Sequence, residues 1–161
     1  MKKDLFFYFI LKLKEKYDTN NPSIQIDRYY VLKMLFIASV NDNNIRNWLW
    51  DYSFNNFYAM ENWPVESNCY NYIYEKWGNF EKIINSIDNI NKEIGDITYE
   101  YKTIIDNAVN RISDFLFYKD SDYLIDYTHT FNSWKIAWEK CKIYQKRAYP
   151  IDIKDIENDW E

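Results

Sequence analysis

The chain has 161 residues, 20% of them aromatic (7 Trp, 16 Tyr, 10 Phe), against only 2 Gly and 3 Pro, where average usage would give roughly 19 of that pair. This excludes collagen-like and Pro/Gly-rich disordered chains and argues against an all-β sandwich or barrel, whose tight turns need such residues; Gly78 and Gly95 also stand too far apart for a nucleotide-binding glycine loop. A net charge of −5 argues against non-specific nucleic-acid binding, which needs a basic surface to displace counterions.

What remains is a mainly α protein, read as one compact helical-bundle domain over residues 1–161. A chain of this size buries a full core without a metal or disulfide staple. The first helix is expected over residues 3–17, with Leu5, Phe9 and Leu13 on one stripe and Phe6, Ile10 and Tyr17 beside it. The same start resembles a signal peptide at first glance, because Lys2 and Lys3 precede an apolar run. That run is only seven residues long, Asp4 interrupts the basic region, and no small-residue cleavage site appears. It is also too short to span a bilayer. The chain therefore reads as cytoplasmic, with no membrane segment. Asn20, Asn21 and Pro22 end the helix.

A second helix is expected over residues 25–39; Tyr29 to Ala38 is apolar nearly all round, so this helix is read as central and buried. Residues 45–65 carry Trp48, Trp50, Tyr52, Phe54, Phe57 and Tyr58 with a partial period of two. A short β-hairpin and an irregular aromatic loop both fit, and Pro64 fixes a break. Cys69, Tyr70, Ile73, Tyr74 and Trp77 predict a helix ending near Gly78. Residues 80–94 read as a less regular surface segment. The clearest stripe runs from Tyr101 through Ile105, Val109 and Ile112 to Leu116. Shorter helices are expected over 121–130 and 133–145, with a final turn over 153–160.

Catalytic chemistry has little to build on. His129 is the sole histidine, which excludes paired-histidine zinc sites. A Ser–His or Cys–His site lacks the glycines of a nucleophile elbow, so His129 reads as a structural residue that caps a helix or bonds in the core. Neither catalytic residue, cofactor nor metal is expected, and the chain is read as no enzyme. Cys69 and Cys141 stand far apart without a CxxC spacing, as reduced intracellular thiols do. Asp152, Asp155, Glu157, Asp159 and Glu161 read as a solvated acidic end. Lys135, Lys140, Lys142, Lys146 and Arg147 read as a solvated basic face before a phosphate patch. The surplus of Tyr and Trp predicts an exposed aromatic patch of the kind that fills protein–protein contacts. Single strands of nucleic acid also stack on aromatics but need a basic groove as well.

Four blocks, in chain order, resemble the Panacea domain of SocA-like antitoxins, also described as GepA-type phage-associated proteins. Leu32-Lys33-Met34-Leu35-Phe36-Ile37-Ala38 is similar to the family's leucine-rich helix. Phe57-x-Ala59-Met60-x-x-Trp63-Pro64-Val65, with the later Tyr70, resembles its aromatic Gly-Pro-Val block. Leu124-x-x-x-Thr128-His129-x-x-x-Ser133-Trp134-x-x-Ala137 is similar to its Thr-His block and is the most specific of the four. Ile151-x-x-x-Asp155-Ile156 resembles its terminal element. Three positions depart from the pattern: Met60 stands for Trp, Trp63 for Gly, and Ser133 for Pro. Losing that Gly puts in doubt how the turn before Pro64 is built and what it contacts. The resemblance implies a compact helical antitoxin that binds and neutralises a cognate protein toxin, with no enzymatic activity. One relative delivers its toxin to a protease, so an adaptor for a cytoplasmic protease, or a prophage-encoded regulatory interaction protein, is the alternative. Phe57, Ala59, Trp63, Pro64, Val65, Tyr70, Thr128, His129, Trp134 and Ala137 are then either scaffold or partner contact.

Overall fold

The computed structural model of the chain describes residues 1–20, 25–47 and 53–159. Helices α1 (Lys2–Asn20) and α2 (Arg28–Asn41) are followed by α3 (Asn43–Asn47), strands β1 (Phe57–Met60) and β2 (Trp63–Glu66), then α4 (Ser67–Glu75), α5 (Phe80–Ile84), α6 (Ile87–Lys92) and α7 (Tyr99–Asn110). A 3-10 turn (Asp114–Tyr118), α8 (Ser121–Thr128), α9 (Asn132–Ile143), β3 (Tyr149–Pro150) and α10 (Ile153–Asp159) complete the order. The architecture is mainly α with one small sheet, as expected.

The core is built on α1 and α2. Every residue from Leu5 to Leu11 is buried, including Phe7, Tyr8 and Leu11, which lie outside the two stripes read from the sequence. The reason is tertiary: α4, α5, α6, α7 and the 3-10 turn all pack around α1, so no face of its N-terminal half is left to solvent. Helix α2 is buried from Tyr30 to Val40, between α8, α7, α10 and the hairpin. Its start is set by Asp27, whose carboxylate accepts from the Tyr30 N–H at 2.8 Å.

Helix α7 ends at Asn110, short of the stripe that continues to Leu116. Lys16 holds the stop: its ammonium reaches across from α1 to the Val109, Asn110 and Ile112 carbonyls at 3.3, 3.4 and 2.8 Å, pairs with Asp114 at 3.3 Å and lies over the Phe117 ring. The Asn110 carbonyl is that of the last residue of the helix. Ile112 and Leu116 remain buried beyond it, so the stripe tracks packing even where the helix has stopped.

The segment 80–94 resolves into α5 and α6, with the Ser86 hydroxyl capping α6 at the Asn89 N–H (3.3 Å). Neither glycine adopts a positive φ, so Gly78 supplies no left-handed helix cap. Gly95 meets Asp4 instead. Its N–H donates to Asp4 at 2.8 Å, and a Cβ there would stand 2.9 Å from that carboxylate oxygen.

Residues 57–66 form the hairpin rather than a loop, with Phe57 paired to Glu66 and Met60 to Trp63. Trp48, Trp50 and Tyr52, which supported that alternation, lie outside the described residues, as does Trp160 of the final turn. Strand β3, which the sequence did not announce, pairs antiparallel with β1 to give the order β2-β1-β3. The hairpin lies between α2 and α9 and positions the site described next.

Candidate functional site

The hairpin turns through Glu61 and Asn62. Two-residue hairpin turns ordinarily use left-handed residues, yet among the described residues only Gln145 has a positive φ, at 53°. The strands are instead clamped from outside by three helices.

From α9, the largely buried Trp134 donates its indole N–H to the Met60 carbonyl at 3.2 Å. Two turns further on, Cys141 contacts the Ala59 carbonyl at 3.5 Å. From the end of α8, His129 stacks on Trp134 with ring centroids 3.7 Å apart and planes 14° from parallel. Trp134 stacks in turn on Trp138, at 5.7 Å and 15°. The backbone of Asn62 hydrogen-bonds the imidazole, while its Nε2 is buried without a partner among the described residues. Burial holds the His129 pKa below its ordinary value and the nearby Lys33 adds to this, against Asp126 and the Asn62 bond.

From α2 comes Lys33, fully buried in an otherwise apolar helix. Its ammonium lies 5.3 Å from the centroids of both the Tyr29 and the Trp63 rings. Those rings stack on each other at 4.3 Å. The ammonium makes no hydrogen bond among the described residues. Burial pulls its pKa from 10.5 down to about 8, and Asp27 and Asp122 offset only part of that. The two aromatic faces stabilise the cation without supplying an acceptor.

The ten motif residues divide clearly. Phe57, Ala59, Pro64, Val65, Thr128, Trp134 and Ala137 are buried; Trp63, Tyr70 and His129 are half-buried. Phe57 meets Phe36 edge-on at 5.3 Å. Thr128 donates its hydroxyl to the Ile125 carbonyl at 3.0 Å, and the His129 N–H closes the end of α8. Tyr70 packs against the core from α4. The second block forms the hairpin and the structure brings the other three to it: the first through Lys33 on Trp63, the third through Trp134 on Met60. The fourth arrives through the Ile151 N–H, which donates to the Phe57 carbonyl at 2.8 Å.

Sequence reading passed over Tyr29, Lys33 and Trp138 as site residues. A signal was present: Tyr29 and Lys33, and Trp134 and Trp138, each stand four apart, the spacing that places two side chains on one helix face.

Beside this hub opens a cleft of about 440 Å³. Met60, Trp63 and Trp138 form its apolar floor, Glu61 its lip, and Lys146 and Arg147 its rim. The rim is placed by the end of α9. Gln145 takes the left-handed conformation, the Gln145 N–H donates to the Lys142 carbonyl at 3.3 Å, and the Lys146 N–H to the Cys141 carbonyl at 2.9 Å. This is the double closure of a Schellman turn, with Gln where Gly is usual.

An exposed aromatic patch is also present, on the 3-10 turn and α8. Phe115, Tyr118 and Tyr123 are exposed. Phe115 and Tyr123 both contact Tyr127, which meets Phe131, and Phe131 meets the core residue Phe36. Among the described residues no cluster of three His, Cys, Asp or Glu is arranged to hold a metal ion, and no helix is long and apolar enough to cross a membrane. No family model matches the chain, and neither does a curated protein or a solved structure.

Proposed function

We propose that this chain is a protein-binding module of the antitoxin kind, which neutralises a cognate protein toxin in the cytoplasm by direct contact and performs no chemistry of its own. The observation that carries the reading is the convergence of the four blocks. They are spread from Leu32 to Ile156, yet the second forms the hairpin and each of the other three contributes a contact to it. A shared scaffold requires such convergence, and four chance matches along a chain would scatter.

Most motif residues are buried, so in this reading they hold the scaffold and leave contact to other side chains. The ladder from Phe36 through Phe131 and Tyr127 to Phe115 and Tyr123 carries rigid aromatic area from the core to the surface. Such rings bury large area on binding at low entropic cost. His129 serves the scaffold too, with one ring face covered by Trp134 and its imidazole bonded to the Asn62 backbone.

Co-expression with the product of the adjacent gene tests this. That product alone should arrest growth, this chain should restore it, and the two should co-purify. A product that is harmless alone and does not co-purify would sink the proposal.

A further inference from the structure

We infer that the cleft between the β1–β2 turn and the end of α9 docks an acidic, carboxylate-bearing segment of a partner protein. This rests on the partner-binding reading above and adds the chemistry of what is bound.

The chain carries a net −5; Lys82 and Lys92 also meet at a second opening, but there without an aromatic floor. The basic stretch at the end of α9 is not uniform. Lys142 is paired with Glu139 at 2.8 Å, and Lys140 lies over the Tyr149 ring at 5.6 Å. Lys146 and Arg147 are exposed, line the cleft, and have no ion-pair partner among the described residues. A solvated basic face accounts for the first pair; it does not account for two free cations held at a concave opening by a left-handed Gln145.

Trp63 lines the cleft on one side and covers the Lys33 ammonium on the other. Lys33 is fully buried and has no hydrogen-bond acceptor among the described residues. A cation in low dielectric is weakly screened, and a cleft with low-dielectric walls focuses its field into the opening. Charges of the other sign are present as well. Glu61 is on the lip, Asp126 acts on His129, and Asp27 and Asp122 act on Lys33. At the rim itself two cations face one carboxylate.

A nucleotide would also stack on Trp63 and Trp138, which line the cleft. Phosphates are usually cradled by backbone N–H groups at a helix N-terminus. The helix end at this cleft is the C-terminus of α9, whose partial charge is negative. Together with Glu61 it disfavours a multiply charged phosphate more than single carboxylates spaced along a chain. The apolar floor takes the side chains between them.

The test uses the full chain and a peptide, Glu-Asp-Phe-Glu-Asp-Leu-Glu-Glu, labelled with fluorescein at its N-terminus and amidated at its C-terminus, followed by anisotropy and tryptophan emission. The expected result is micromolar binding that weakens with added salt, with no binding of the counterpart that carries Lys at each acidic position. Lys146→Glu with Arg147→Glu should lower affinity at least tenfold while circular dichroism and the melting midpoint are kept. Lys82→Glu with Lys92→Glu, away from the cleft, should leave it unchanged. Equal binding by the rim variant, or displacement of the peptide by ADP at lower concentration than by unlabelled peptide, overturns the inference. The co-expression assay separates it from the proposed function. A rim variant that loses the peptide but still neutralises the toxin removes the cleft from that role and leaves the antitoxin reading standing. Peptide binding with no toxin neutralised leaves the cleft standing and removes the antitoxin reading.

Discussion

The indole N–H of Trp134 donates to the carbonyl of Met60 at 3.2 Å, tying α9 to the last residue of β1. This bond joins parts of the chain 74 residues apart and sits between two stacked neighbours, His129 and Trp138. It clamps the hairpin from outside at the residue before its turn.

Trp134→Phe removes that donor and keeps an aromatic ring between His129 and Trp138. Loss of one partly buried hydrogen bond costs about 1–2 kcal/mol, and for a chain of this size each kcal/mol moves the melting midpoint by about 2–4 °C. Trp134→Ala adds a cavity and should cost about 3–5 kcal/mol. Chemical denaturation of both variants checks the order. No loss in Trp134→Phe would show that the bond to Met60 contributes nothing, and equal losses would show that the ring adds nothing beyond that bond.

Periodicity in the sequence carried the helices well because burial is what spaces apolar residues. The all-apolar run of α2 announced a central helix, and Tyr30 to Val40 are buried. The same signal overran the end of α7, since Ile112 and Leu116 pack inward after the helix stops at Asn110. What stops it is Lys16, 93 residues earlier, and a long-range cap leaves no local trace. The site was legible only in part. Trp63, His129 and Trp134 stood out as motif residues, whereas Lys33 was hidden inside an apolar helix block and Trp138 looked like one more core aromatic. Their meeting depends on the hairpin lying between α2 and α9, a tertiary fact that residue spacing does not encode. Strand β3 is two residues long and includes Pro150, which is too short for alternation to show.

The left-handed Gln145 makes a second prediction. A residue with a Cβ loses roughly 1–2 kcal/mol in that conformation, a cost glycine escapes. Gln145→Gly should therefore stabilise the fold by about 0.5–1 kcal/mol, after the extra entropy of glycine in the unfolded chain. A thermal melt of the variant reads this directly. An unchanged or lower midpoint would mean that the Gln145 side chain contributes a compensating contact.

Lys2 and Glu66 form a buried ion pair across 64 residues. Glu66 also caps α4, its other oxygen accepting from the Cys69 N–H at 2.8 Å, and the Lys2 ammonium lies 5.7 Å from the Phe54 ring. Removing one partner of such a pair strands a charge in low dielectric and costs about 3–5 kcal/mol. Lys2→Met should therefore destabilise strongly. Glu66→Gln keeps an acceptor for the cap but strands Lys2, and the double variant should be less harmed than the two single losses summed. A double-mutant cycle in urea measures that coupling; strict additivity would show that the pair contributes nothing as a pair.

Lys33 gives the fold a distinctive pH dependence. Its pKa is about 8 in the folded chain against 10.5 when unperturbed, and burial is the cause. Below pH 8 both states carry the proton and the fold bears the cost of a buried charge. Between about 8 and 10.5 the unfolded chain binds a proton that the folded chain does not, so stability rises with pH there, by at most about 1.4 kcal/mol per pH unit. The tyrosines act in the opposite sense higher up. Tyr17 and Tyr72 are pushed to about 12 by burial, and Tyr8 and Tyr30 are raised as well. Their phenols ionise near 10 only in the unfolded chain, so they stabilise the fold below that pH and lose this contribution above it. Burial also raises the Cys69 and Cys141 thiols above 9.0, so from there they act as the tyrosines do, and the clean window is pH 8–9. Urea unfolding of the wild type should show rising stability across it, and Lys33→Met should be flat there and more stable at pH 7. If the variant keeps the same slope, the titrating group is not Lys33, and the absence of an acceptor for its ammonium is then made good by water.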